Sequence, residues 1–168
     1  MNTERLEHLI TIMQDVTILR KKFDMNAWAT RDTNECGTTC CALGWAALDP
    51  KCMAEGLILQ ASWLLDQFES DGPRIIMDVP LTSAEAWDKT EDAMREYAVS
   101  FVPTCEGEDG FYAAMKYYDI SLGQAEYLFD NIAYRNTDGP TVPQDVIEHI
   151  KQVLTDYDPG EDDYDTDY

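Results

Sequence analysis

Apolar residues recur at three- and four-residue steps along most of this chain, and that period limits its fold more than any other feature. Leu6, Leu9, Ile10, Met13, Val16 and Leu19 make a stripe on one face of a helix from about Thr3 to Lys22. Arg20, Lys21 and Lys22 fall in its last turn, where cations suit the negative end of the helix dipole. Three later segments carry helix-start signals. Thr82 with Glu85 is a Thr-x-x-Glu capping box, and Trp87, Met94 and Tyr97 continue one face to about Val99. Ser121 with Gln124 opens a helix through Leu128 and Phe129. Thr141 with Gln144 opens another, continued by Val146, Ile147, Ile150 and Leu154. Pro103, Gly107 and Gly110 break the chain ahead of a helix carrying Phe111, Ala114, Met115 and Tyr118.

A shorter helix is expected from Thr38 or Thr39 to Leu48, with Cys41, Gly44, Trp45 and Leu48 on one face. A glycine inside a helix costs about 1 kcal/mol relative to alanine. Gly44 therefore predicts that another stretch of backbone comes close to it. Asp49-Pro50 stops this helix and starts the next, with Asp as cap and Pro in the first turn, and Gly56 ends that piece. Residues 57–59 and 74–79 are the stretches patterned as strands, and Ser62 to Phe68 with the 69–73 turn lie between them. Asp24 is a possible helix cap, and Arg31 to Gly37 has loop composition. The expected fold is mainly α within the α+β class: a single compact helical domain with at most a small two-stranded β element. No internal repeat of fixed period is present.

Charge then divides the chain. Its 168 residues carry 33 acidic and 12 basic side chains, for a formal net charge of -21. Hydrophobic residues at 45% and aromatics at 11% still supply a core, so the chain is not disordered throughout. The last thirteen residues differ in kind. Asp156, Asp158, Glu161, Asp162, Asp163, Asp165 and Asp167 lie among tyrosines, with no Lys, no Arg and no aliphatic face. That composition predicts a disordered acidic tail over 156–168 and a folded domain over 1–155. Removing the seven tail charges leaves -14 on the body. Such a body does not grip nucleic acid through its general field, because phosphate contacts need Lys and Arg. Anionic membrane surfaces are disfavoured on the same ground. The longest run without a charged or strongly polar residue, Cys40 to Leu48, falls well short of the roughly 20 residues a spanning helix needs. The first twenty residues mix Glu4, Arg5, Glu7, His8 and Asp15 into their apolar positions, unlike a signal peptide. A cytoplasmic protein is expected.

The five cysteines, Cys36, Cys40, Cys41, Cys52 and Cys105, form an odd set with two adjacent, which points to free thiols packed as small hydrophobes. The densest group, Cys36-Gly37-Thr38-Thr39-Cys40-Cys41, opens the expected helix. A thiol at a helix N-terminus favours thiolate. Cys40 and Cys41 with His149 are thus the candidates for a thiol-dependent hydrolase, although the papain-type Cys-Gly-Ser-Cys-Trp spacing is not matched. Cys36, Cys40, Cys52 and Cys105 are the alternative as zinc ligands, with Cys36-x3-Cys40 the single knuckle. Glu106-x-Glu108-Asp109 and Glu161-Asp162-Asp163 do not match a calcium loop and read as surface charge open to a basic partner. There is no phosphate loop, nucleophile elbow or His-Glu-x-x-His. No cofactor is expected. Trp28, Trp45, Trp63 and Trp87 fall mostly at helical core spacing.

Three segments together carry a resemblance: Phe23-Asp24-Met25-x-x-Trp28, then Cys36-Gly37-Thr38-x-x-Cys41-x-x-Gly44-Trp45-Ala46, then Gly110-Phe111 through Leu128-Phe129 and the helix from Pro143 to Leu154. In this order the chain resembles small uncharacterised proteins of bacteriophages and some bacteria. The likeness covers about two thirds of the chain. Ser62 to Thr104 looks like an insertion and the tail like an addition. The resemblance implies a phage or mobile-element origin, with host cytoplasm as the location, and carries over no functional residue. The charge favours a non-enzymatic binding protein. It would fill a basic groove of a nucleic-acid-handling or defence protein, as a nucleic-acid mimic, and inhibit it. Its interacting carboxylates would be Glu106, Glu108, Asp109 and those of the tail. A thiol- or zinc-dependent enzyme, and a phage structural or assembly factor docking through the tail, are the alternatives.

Overall fold

The computed structural model describes residues 1–19, 21–32, 37–65, 74–94, 98–134 and 140–155. The tail, Cys36 and Trp63's side chain lie outside what is described. The element order is α1 (Thr3–Ile18), β1 (Ala29–Asp32), β2 (Gly37–Cys40), α2 (Ala42–Ala47), α3 (Pro50–Ala54), β3 (Ile58–Leu65), β4 (Arg74–Pro80), α4 (Ala84–Ala93), β5 (Ala98–Cys105), β6 (Glu108–Asp109), α5 (Gly110–Tyr118), α6 (Leu122–Phe129), a 3-10 turn (Asn131–Tyr134) and α7 (Pro143–Val153). The fold is α+β and mainly helical, as the periodicity predicts. The β content exceeds the two-stranded element expected: β1 and β2 form an antiparallel ribbon, and a second antiparallel sheet has the order β4-β3-β5-β6.

The core forms where the stripes of α1 and α7 meet. Leu6, Leu9, Ile12, Met13 and Val16 of α1 are buried together with Val146, Ile147, Ile150 and Val153 of α7. Ile12, absent from the expected stripe, is buried, while Leu19 is 62% exposed. The helix ends at Ile18 rather than near Lys22 because the chain turns away to pair. The Lys21 N–H returns to the Val16 carbonyl, and the Trp45 indole donates to the Lys22 carbonyl at 3.1 Å. Asp24 caps no helix: its Oδ1 accepts from the Asn26 backbone N–H, a local turn.

Residues 38–40 are strand, not the helix start expected. Two β-branched threonines favour an extended chain, and Thr38 and Thr39 pair with Arg31 and Thr30. The helix begins one turn later, at Ala42, with Cys41 in extended backbone as its cap. Asp49 caps α3 as expected, accepting from the backbone N–H groups of Lys51 and Cys52. Gly56, at φ +98°, ends that segment.

β3 runs on to Leu65, taking in residues expected to be a connection. Its alternation buries Leu59 and Ala61 and leaves Ile58, Gln60 and Ser62 half-buried. β5 was hidden by Pro103, which sits inside it opposite Leu59. Among the described residues β6 covers only Thr104 and Cys105, so at Pro103 the strand has an uncovered side, where a missing N–H is tolerated. Val99 is therefore strand, and α4 stops at Ala93. The cap of α4 is Ser83 rather than Thr82, with its Oγ accepting from the Ala86 N–H. α6 has the expected reciprocal box of Ser121 and Gln124. On α7 the capping carboxylate is Asp145, accepting from the Val142 N–H, in place of the Thr141–Gln144 pair.

Candidate functional site

The motif segments come together first. Trp28 meets Phe111 edge to face at 5.1 Å. A Cβ on Gly44 would lie 1.9 Å from the Trp28 carbonyl oxygen, and one on Gly110 would lie 3.3 Å from the Trp28 ring. The backbone approach that Gly44 predicts is thus made by Trp28. The Cys41 N–H donates to the carbonyls of Ala27 and Trp28 at 3.2 and 3.3 Å. The segment from Phe23 to Trp28 lies along the one from Cys40 to Gly44, and Trp28 abuts the start of α5. This arrangement uses the motif residues for packing.

Cys40 and Cys41 are buried. Burial holds the Cys40 thiol far above its usual range and pushes Cys41 up to about 12, against the lowering effect of backbone donors such as Gly44. The dipole argument for a thiolate fails at this point because α2 starts after both residues and burial dominates. His149 lies between two aromatic rings, Tyr127 at 4.1 Å and Tyr134 at 4.3 Å, and its Nδ1 is 3.0 Å from the Tyr127 carbonyl. Its ring is thus part of the α6–α7 packing. Burial lowers its pKa, with partial opposition from that carbonyl and Asp145.

The zinc alternative fares differently for each ligand. Among the described residues, one group of three His, Cys, Asp or Glu side chains comes close enough to share a metal: His8, Asp49 and Cys52, with donor atoms within 4.8 Å of one another. It contains Cys52 but neither Cys40 nor Cys105. His8 projects from the half-buried edge of α1, and Asp49 and Cys52 from the first turn of α3. His8 Nε2 is 3.0 Å from Asp49 Oδ1. Burial works to raise the Asp49 carboxyl, but His8 and the Cys52 backbone N–H hold it below its usual value. Burial pushes the Cys52 thiol up to about 11.

A second layer joins this group to α5. The Tyr117 hydroxyl contacts Cys52 and donates to Glu55 Oε2 at 3.1 Å. Arg5 Nε donates to the same Glu55 oxygen at 2.8 Å, and its guanidinium lies 4.2 Å from the Tyr117 ring centre. Sequence spacing gives no sign of this group, because 41 positions separate His8 from Asp49 and 62 separate Glu55 from Tyr117. Cys52 is among the zinc ligands the sequence offers, but with other cysteines as partners, and Asp49 reads there as a cap.

Glu106, Glu108 and Asp109 are exposed on the β5–β6 hairpin. Glu106 and Gly107 have φ of +51° and +87° and form its two-residue loop. Lys116 lies 3.8 Å from Glu106. The tail carboxylates Asp156, Asp158, Glu161, Asp162, Asp163, Asp165 and Asp167 fall outside the described residues. Other carboxylates line up along helices: Glu4, Glu7 and Asp15 are exposed on one side of α1, and Glu85, Asp88 and Asp92 on one side of α4. Lys51 pairs with Glu4 at 3.1 Å and Lys89 with Glu85 at 2.8 Å.

An α+β, mainly helical chain with a hydrogen-bonded His–Asp–Cys group and acidic helix faces is therefore what the residues build. No family model, no curated protein and no solved structure matches it. Among the described residues no helix is long and apolar enough to cross a membrane.

Proposed function

We propose that this protein is a non-enzymatic binding protein whose negative surface occupies a basic, nucleic-acid-handling groove of a partner protein. The observation that carries the reading is the placement of exposed carboxylates in rows. On α4, Glu85, Asp88 and Asp92 follow one another at three- and four-residue steps. Those steps advance roughly 4.5 and 6 Å along a helix axis. The repeat is comparable with the advance of one to two nucleotides along a duplex strand, about 3.4 Å each. Lys89 pairs with Glu85 in this row. On α1, Glu4 and Glu7 are one such step apart, and Asp15 lies about two turns further along the same side. A groove built to hold phosphates attracts such a surface at long range and gains specificity from the match of charge. The resemblance to small phage-encoded proteins agrees with an inhibitor of a host nuclease, polymerase or defence complex, acting in the host cytoplasm.

The test is retention of basic, nucleic-acid-binding proteins from bacterial lysate on the immobilised full chain, eluted with a salt gradient. Retention at low salt, release before about 0.5 M, where screening is strong, and displacement by duplex DNA are expected. Changing Asp88 and Asp92 to Lys should abolish retention. Retention of nothing basic at low salt, or retention indifferent to salt, would overturn the reading.

A further inference from the structure

We infer that His8, Asp49 and Cys52 form a binding site for one divalent transition-metal ion of the zinc class. Three donors of different chemistry, an imidazole nitrogen, a carboxylate oxygen and a sulfur, converge from two elements to within 4.8 Å of one another. Tetrahedral zinc with its usual bond lengths needs ligand–ligand separations of roughly 3.3–3.8 Å. His8 Nε2 and Asp49 Oδ1, 3.0 Å apart, would open slightly and any wider pair would close by about 1 Å, both within reach of side-chain rotation. Imidazole with thiolate favours zinc, cobalt or a related ion over magnesium and calcium, which prefer oxygen alone. A neutral imidazole, a carboxylate and a thiolate carry two negative charges, matching one divalent ion.

The surroundings suit this use. The Lys51 and Cys52 backbone N–H groups fix the Asp49 carboxylate through Oδ1. The Tyr117 hydroxyl contacts the sulfur and is itself held by Glu55, the kind of outer contact that orients a metal ligand. Among the described residues, Arg5 pairs with Glu55 and Lys51 with Glu4. Cys52 is buried, whereas the His8 and Asp49 side chains are 24% and 22% exposed, so an ion has an approach from their side. The Tyr118 hydroxyl, on the residue next to Tyr117, is buried with no hydrogen-bond partner among the described residues. Binding takes the thiol to a metal thiolate, and the proton leaves to the buffer.

Titration of the full chain with Co2+ tests the site, because a cobalt–thiolate bond gives its own charge-transfer absorption. One Co2+ per chain, with that absorption and a proton released on binding, is expected, as is displacement by Zn2+. Cys52→Ser should remove the absorption, and His8→Gln should weaken binding more than about tenfold. Tyr117→Phe should weaken it about tenfold. Cys36→Ser and Cys105→Ser should leave it unchanged. Circular dichroism establishes that each variant folds, and the partly exposed His8 decides the matter if Cys52→Ser does not. Absence of cobalt–thiolate absorption in the native chain, its survival in Cys52→Ser, or undiminished binding by folded His8→Gln would overturn the proposal.

Discussion

Gly44 owes its place in the middle of α2 to a carbonyl group sixteen residues earlier in the chain. The Trp28 oxygen occupies the space a Cβ would need. Gly44→Ala is expected to destabilise the protein by about 1–3 kcal/mol, because the intruding methyl meets backbone rather than a movable side chain. Urea denaturation measures this, and an unchanged midpoint would mean the contact is not maintained. The need for a close approach was legible in the sequence, since a glycine at such a cost implies compensation. The identity of the approaching group was not, because nothing local links Trp28 to Gly44. His8 shows the same limit more sharply. A half-buried histidine on a helix edge has no local signature, and its relation to Asp49 exists only after α1 and α3 pack. The backbone at Glu106 was equally hidden: Glu-Gly gives a weaker turn signal than Asn-Gly.

Elements were legible where a single period governs them. α1, α5, α6 and α7 follow apolar stripes, and their existence could be read directly. Their ends depend on partners. α1 ends early because Lys22 and Phe23 are engaged by Trp45 and Cys40. β5 was unreadable because Pro103 suggests a break, and only its position beside the short β6 makes it tolerable. At this scale α7 is joined to α6 through His149, stacked between Tyr127 and Tyr134. Burial lowers the His149 pKa below the ordinary value of 6.5. The unfolded chain therefore takes up a proton before the folded one does, and stability falls as pH drops below about 6.5. Asp145 nearby moderates the effect without reversing it. His149→Phe keeps an aromatic ring in the stack and removes the titration. It should lose less stability than the native chain between about pH 7 and about pH 5.5, measured by urea midpoints. An equal loss in both proteins would contradict the assignment.

For the whole molecule, net charge was the plainest quantity in the sequence, but its arrangement was not. The total of -21 is fixed by composition. Whether carboxylates form rows depends on which helix faces the core leaves outward. Packing of Trp87 on Phe101, at 6.2 Å, turns one side of α4 toward the sheet and leaves Glu85, Asp88 and Asp92 exposed. The described residues thus present acidic faces on α1 and α4. The most direct test compares partner retention, across a salt gradient, for the full chain, for a chain ending at Thr155, and for the full chain carrying Asp88→Lys and Asp92→Lys. The body-centred account predicts that the shortened chain still binds, with a shallower salt dependence, and that the charge-reversed chain does not. Loss of binding on shortening, with binding intact after charge reversal, would contradict it and place the interaction in residues 156–168.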